Sequence, residues 1–206
     1  PVAAGLVEAA HRPGPRLPVE RLLSYLPSEL VKTPGIAVLD VGCWDGDLLA
    51  AMSHAGARRG IEPNPDAAAR ARARGLGVDE GFVEGITLDA ASDDLVTAVD
   101  VIEHLPQPRE TVARLADALR PGGHLIVLTG NVGGFGGRFW RSDWYYLHYP
   151  EHVSFFTKSS IESTIRGAGL ATSIGTYAQS ALSVASTVDA KAFASLPVST
   201  LWPGML

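Results

Sequence analysis

From residue 36 onward, short apolar runs alternate with amphipathic stretches. Residues 36–41 (Ile-Ala-Val-Leu-Asp-Val) form a nearly unbroken apolar run, which predicts a strand buried on both faces. Comparable runs predict strands over 59–62, 78–84, 95–101, 124–129 and 170–177. Between them, residues 47–54 have a helical pattern stopped near Gly56. Residues 64–74 begin with Asn64 as a cap and Pro65 in the first turn, and end at Gly75. Residues 109–119 place Val112, Leu115, Ala116 and Leu119 on one helical face before Pro121-Gly122-Gly123 breaks the pattern. Residues 159–167 form a further helix, with Ser159 and Glu162 as a capping box. Strands alternating with helices predict an α/β fold: a parallel sheet covered by helices on both faces.

The flanks are less regular. Residues 1–16, with Pro1, Pro13, Gly14 and Pro15, read as an extension, and residues 19–30 as one short amphipathic helix carrying Leu22, Leu23 and Leu26. Together residues 1–35 form an N-terminal extension and helix, 36–178 the core, and 179–206 a C-terminal segment. In that last segment residues 181–194 look helical and no closing strand is evident. The chain begins with Pro1 and not Met, so it is expected to be processed or trimmed there. Its last 30 residues are expected to be an insertion, a partner contact or a segment preceding a missing strand.

Composition narrows the classes. A chain of 206 residues with 46% apolar and 19% charged residues is globular and large enough for its own core. A net charge of −5 argues against nucleic acid as the main partner. Cys43 is the single cysteine, which excludes an intrachain disulfide and fits a reducing, cytoplasmic setting. No apolar run reaches the ~18 residues of a membrane span.

The sharpest local feature follows the first strand: Asp40-Val41-Gly42-Cys43-Trp44-Asp45-Gly46-Asp47. A glycine turn between strand and helix lets the backbone approach a ligand closely. The spacing fails the dinucleotide fingerprint because Trp44 stands where a glycine is required, and no Gly-Lys-Ser/Thr ending marks a phosphate loop. An acid just before the turn suits a cationic or hydroxyl-bearing ligand. Glu62, at the end of the second strand, is well placed for ribose hydroxyls.

Four segments then occur in order: Leu39-Asp40-Val41-Gly42-Cys43-x-x-Gly46, Gly60-Ile61-Glu62, Asp100-Val101-Ile102-Glu103-His104-Leu105 and Leu119-Arg120-Pro121-Gly122-Gly123. Over about residues 36–175 they resemble the successive motifs of class I S-adenosylmethionine-dependent methyltransferases. The stretch Pro150-Glu151-His152-Val153-Ser154-Phe155-Phe156-Thr157 resembles the branch that includes ubiquinone-type and other small-molecule O-methyltransferases. The resemblance implies a doubly wound, mostly parallel Rossmann-like sheet and S-adenosylmethionine as cofactor, with S-adenosylhomocysteine as product. It implies that Asp40, Gly42, Cys43, Trp44 and Gly46 line the methionine end, that Glu62 holds the ribose, and that Glu84 is a candidate for the adenine edge. Asp100 and Glu103 would lie where cofactor and acceptor meet. Trp44 departs from the family pattern, which usually has glycine there, so its side chain must turn away from the cofactor or cover it.

Methyl transfer from a sulfonium needs alignment above all, and a hydroxyl acceptor gains from a base. Of six histidines, His104, His148 and His152 follow strands four and five, the end of a parallel sheet where ligands sit. These three are the candidate bases. His148-x-x-Glu151-His152 also matches a zinc-peptidase pattern, but Pro150 opposes the helix that pattern needs. A divalent ion on Glu103 and His104 is conceivable chemistry, but no metal is expected. Nine of the fifteen aromatic residues lie between Phe135 and Phe156, just after a run of glycines. This reads as a lid over residues 131–156, with Trp140, Arg141, Trp144 and Tyr146 as candidate acceptor contacts. A satellite core or a homodimer contact is the alternative. The expected activity is O-methylation of a small molecule, with no nucleic-acid partner. The alternative is a cofactor-binding or interaction module on the same fold without transferase activity.

Overall fold

Alternate positions along the central strands face opposite ways, and each face is apolar. Leu39, Val41, Val96, Ala98, Leu125 and Val127 point into one core cluster, while Val38, Leu95, Ile126 and Leu128 point into another. This two-periodicity forces helices onto both sides of the sheet. The computed structural model describes residues 18–140, 144, 146–147, 150–177 and 181–187.

The strands are β1 (Ala37–Val41), β2 (Ala57–Glu62), β3 (Gly77–Glu80), β4 (Asp93–Val99), β5 (Leu119–Gly130), β6 (Ala171–Tyr177) and β7 (Ala181–Thr187). They form one sheet in the order β3-β2-β1-β4-β5-β7-β6. The neighbouring pairs from β3 through β5 are parallel, and β7 runs antiparallel to both β5 and β6. The direction of winding reverses between β1 and β4, which opens a crevice beyond their carboxyl ends.

The helices are α1 (Val19–Leu23), α2 (Ser28–Lys32), α3 (Asp47–Ala51), α4 (Pro65–Ala73), α5 (Pro108–Ala118), α6 (Phe135–Trp140) and α7 (Lys158–Gly167). Val112 and Leu115 of α5, with Ile161 and Ile165 of α7, fill the first cluster. Leu48 and Leu49 of α3, Ala71 of α4, and Tyr25 and Leu26 between α1 and α2 fill the second. Asn64 caps α4 through its side-chain oxygen, which accepts from Asp66 N–H (2.9 Å) and Ala67 N–H (3.0 Å). Among the described residues no helix is long and apolar enough to cross a membrane.

The structure corrects four expectations. The helix predicted over 19–30 is two short helices, because Pro27 supplies no N–H to continue the first and suits the start of the second. The capping box of α7 is Thr157 with Ser160, not Ser159 with Glu162. The Thr157 hydroxyl accepts from Ser160 N–H (3.2 Å) and the Ser160 hydroxyl from Thr157 N–H (2.9 Å). Pro121-Gly122-Gly123 does not separate α5 from a later strand but lies within β5, where the register against β4 slips between Asp93 and Leu95. Finally, residues 181–187 are not helical. They form β7, which pairs along its length with β5 on one side and β6 on the other. Those two ladders of backbone hydrogen bonds outweigh the small, weakly strand-forming side chains of Ala-Leu-Ser-Val-Ala-Ser-Thr.

Candidate functional site

The carboxyl ends of β1, β2 and β4 bring the predicted acids to the crevice. Asp40 is 5% exposed, and its Oδ1 accepts a hydrogen bond from the Thr97 hydroxyl at 2.7 Å, joining β1 to β4. After Val41 the chain turns through Gly42 (φ 73°) and Gly46 (φ 78°). Both positive φ values favour glycine, and a Cβ would also displace Val101 Cγ2 (2.5 Å) at Gly42 and Leu76 Cδ1 (2.2 Å) at Gly46. Glu62, 4% exposed, is clamped by backbone: Oε2 accepts from Trp44 N–H and Oε1 from Asn64 N–H, each at 2.8 Å. Two carboxylates flanking a close-approach turn suit a ligand with hydroxyls and positive charge, and S-adenosylmethionine has both.

Cys43 takes a different place from the one expected. Its thiol is buried in the second core cluster, where a Cβ on Gly60 would come within 2.4 Å of Sγ. Burial, reinforced by the charges of Asp40 and Glu62, pushes the thiol well above its usual range, so it stays protonated and inert. Only its backbone is left to line the crevice. Glu84 lies in the 3-10 turn Val83–Gly85 with its side chain exposed, and its carbonyl accepts from Arg114 Nη1 at 3.2 Å. This pins the turn to α5.

Beyond β4, the 3-10 turn Ile102–His104 buries Glu103 completely. Glu103 accepts from the Thr129 hydroxyl (2.9 Å, Oε2) and from the Tyr146 hydroxyl (Oε1). Its peptide oxygen accepts from Val153 N–H and Ser154 N–H, both at 2.9 Å. Burial raises the Glu103 carboxyl above its usual range, and the two hydroxyl bonds offset part of that rise. Asp100 adopts a left-handed backbone (φ 50°), which Asp tolerates better than most residues. Its residue surface opens to the crevice, yet its carboxyl is pushed up to about 7. Removal from bulk water contributes most, the Glu103 charge adds to it, and His104 opposes it.

His104 and His152 meet edge to face with ring centroids 4.6 Å apart. His104 Nδ1 lies 2.9 Å from the Glu151 carbonyl, and His152 Nδ1 lies 2.6 Å from the Tyr146 carbonyl. A carbonyl only accepts, so in each neutral ring Nδ1 carries the hydrogen and Nε2 keeps a lone pair. Glu103, His104 and His152 each offer a ligand atom within 4.8 Å of the others, a spacing that could hold a divalent ion. Both Glu103 oxygens already accept hydroxyl hydrogen bonds, however, and complete burial works against the charged carboxylate that would hold an ion. The arrangement is therefore better suited to handling protons.

The aromatic segment divides in two. Trp144 (4% exposed) and Phe156 (5%) are buried, and Trp144 stacks on Tyr146 at 5.1 Å. Tyr146 rests on Gly130, where any Cβ would fall 2.1 Å from the ring, and its hydroxyl also accepts from Gly130 N–H at 2.6 Å. Phe135 and Phe139 of α6, by contrast, are exposed and stack on one another at 5.3 Å. Trp140 ends α6, whereas Arg141 and His148 lie outside the described residues. Sequence reasoning missed three partners: Thr97, Thr129 and Arg70, whose guanidinium sits 5.8 Å from the Trp44 ring centroid. The two threonines did carry a signal, each being a hydroxyl directly after an apolar run, Leu95-Val96 and Leu125–Leu128.

Comparison with known proteins bears on this geometry. A family model described as a methyltransferase domain matches residues 11–172. The chain is 34% identical over 117 residues to a ubiquinone biosynthesis O-methyltransferase of Cronobacter sakazakii, covering 53% of this chain and 48% of that one. It is 35% identical over 130 residues to one of Xanthomonas axonopodis pv. citri, covering 57% and 54%. The chain thus spans about half the length of the curated relatives it matches. The fold is also similar to that of an S-adenosylmethionine-dependent methyltransferase from Thermotoga maritima, with a TM-score of 0.63 and 21% identity over 83% of this chain and 91% of that one.

Proposed function

Because this chain belongs to the class I S-adenosylmethionine-dependent methyltransferases, we propose that it methylates a hydroxyl group of a small molecule. The observation that carries the hydroxyl is the histidine pair. Both rings have Nδ1 on a carbonyl, which sets the tautomer whose basic nitrogen is Nε2. The O-methyltransferases among its relatives support the same reading.

In this reading Glu62 receives the ribose hydroxyls on a carboxylate already oriented by two backbone N–H groups. Asp40, Gly42, Gly46 and the Cys43 backbone line the methionyl end, where Asp40 and Asp100 favour the cofactor's positive charges. Bound S-adenosylmethionine supplies an activated methyl group whose transfer disperses positive charge, so the protein contributes chiefly alignment, up to about 7–11 kcal/mol in favourable cases. His152 takes the acceptor proton, and its ring is held in place by Tyr146 on one side (4.6 Å) and His104 on the other. Trp144 and Tyr146, stacked on one another, serve as the acceptor contacts in this reading. The single buried thiol fits a cytoplasmic setting.

The test is kinetic. His152→Gln is expected to lower kcat by about 100- to 10,000-fold while leaving affinity for S-adenosylhomocysteine unchanged. A wild-type kcat in that variant would remove His152 as the base.

A further inference from the structure

Trp44 is one of three non-glycine residues with a left-handed backbone among those described, at φ 53°; the others are Ala91 and Asp100. A bulky side chain is disfavoured there, and such strain persists where the surroundings impose it, often at ligand sites. Here the surroundings are visible. Gly46 N–H closes the turn on the Cys43 carbonyl at 2.9 Å, and Trp44 N–H is bonded to Glu62 Oε2 at 2.8 Å. The indole is half-buried, with Arg70 of α4 over its ring. Since α4 follows β2, the ring lies on the β2 side of β1, opposite the side where β4 carries Asp100 and the Ile102–His104 turn.

We propose that Trp44 recognises the nucleoside: its indole, steadied by Arg70, packs against the adenosine half of S-adenosylmethionine beside the hydroxyls held by Glu62. The proposal rests on the assignment of Glu62 to the ribose made above. Glycine would make the same turn without strain but would offer no face. The aromatic ring adds a stacking surface, for which about tenfold in affinity is the expected scale. Because the ring sits away from the acceptor side, its contribution falls on affinity for the cofactor and for its product alike.

Calorimetric titration of the full chain with two ligands tests this. One ligand is S-adenosylhomocysteine and the other is 5′-methylthioadenosine, which keeps the nucleoside and lacks the amino-acid half. In Trp44→Gly both ligands are expected to bind about tenfold more weakly, with Trp44→Phe in between. The thermal midpoint should stay at or above that of wild type, because glycine relaxes at this φ. Unchanged or tighter binding in Trp44→Gly, or weakening confined to S-adenosylhomocysteine, overturns the proposal. Failure of the wild-type chain to bind S-adenosylhomocysteine, or full binding by Glu62→Ala, overturns the site assignment instead. Should Trp44→Gly fail to fold, Trp44→Phe and Arg70→Ala carry the test. Weakening of both ligands by a common factor supports the proposal, and no loss in either variant overturns it.

Discussion

Asp100 couples the chemistry of the crevice to the stability of the fold. Its carboxyl titrates near 7 when folded and near its ordinary value of 3.8 when unfolded. Between those values the folded state binds more protons, so this group's contribution to stability is fully present below about pH 4 and is lost as pH rises through 7. Asp100→Asn should flatten that fall, which denaturant midpoints measured from pH 4 to 8 would show; a variant with the wild-type slope would place the titration elsewhere. Glu103 poses a different problem, a carboxyl with no exposure that depends on two hydroxyl donors. Thr129→Val leaves it one donor short, at an expected cost of about 1–3 kcal/mol in unfolding free energy. These two acids were legible in the sequence because each follows an apolar strand. Their partners were not, since which hydroxyl meets which carboxylate depends on strand register and on a segment 43 residues away.

Among the elements, one docking contact of the aromatic segment is steric. Tyr146 fits over Gly130 only because that position has no Cβ. Gly130→Ala is therefore expected to destabilise the fold by about 1–3 kcal/mol. Adding Tyr146→Ala should recover part of the steric loss, a non-additivity that a double-mutant cycle measures. On the opposite side of the crevice, Asn64→Ala removes the cap of α4 at a cost of about 1 kcal/mol. It leaves the Asn64 N–H on Glu62 in place. The α4 cap was readable because Asn-Pro before a helical pattern has few competing meanings. The start of α7 was not, because Thr157, Ser159 and Ser160 are all competent caps and only geometry chooses Thr157. The clustering of aromatics was visible as composition, but its division into a buried layer and an exposed Phe135–Phe139 face was not.

Across the whole molecule, the reversal of winding between β1 and β4 gathers Asp40, Glu62, Asp100 and Glu103 at the carboxyl ends of the strands. The central strands β1, β4 and β5 were legible because they are largely buried and carry runs of Val, Ile and Leu. The antiparallel β7 was hidden by its small side chains, and what holds it is pairing on both edges. A ligand that bridges the ends of β1, β2 and β4 should stabilise the whole fold: S-adenosylhomocysteine at 100 times its Kd is expected to add about 2.7 kcal/mol. O-methylation is tested most directly by following a ¹³C-labelled methyl group from S-adenosylmethionine into a panel of hydroxyl-bearing small molecules by NMR. The expected result is a labelled methyl ether formed in step with S-adenosylhomocysteine and lost in His152→Gln. Label appearing only on nitrogen or carbon acceptors, or no transfer by a chain that binds the cofactor, would contradict it.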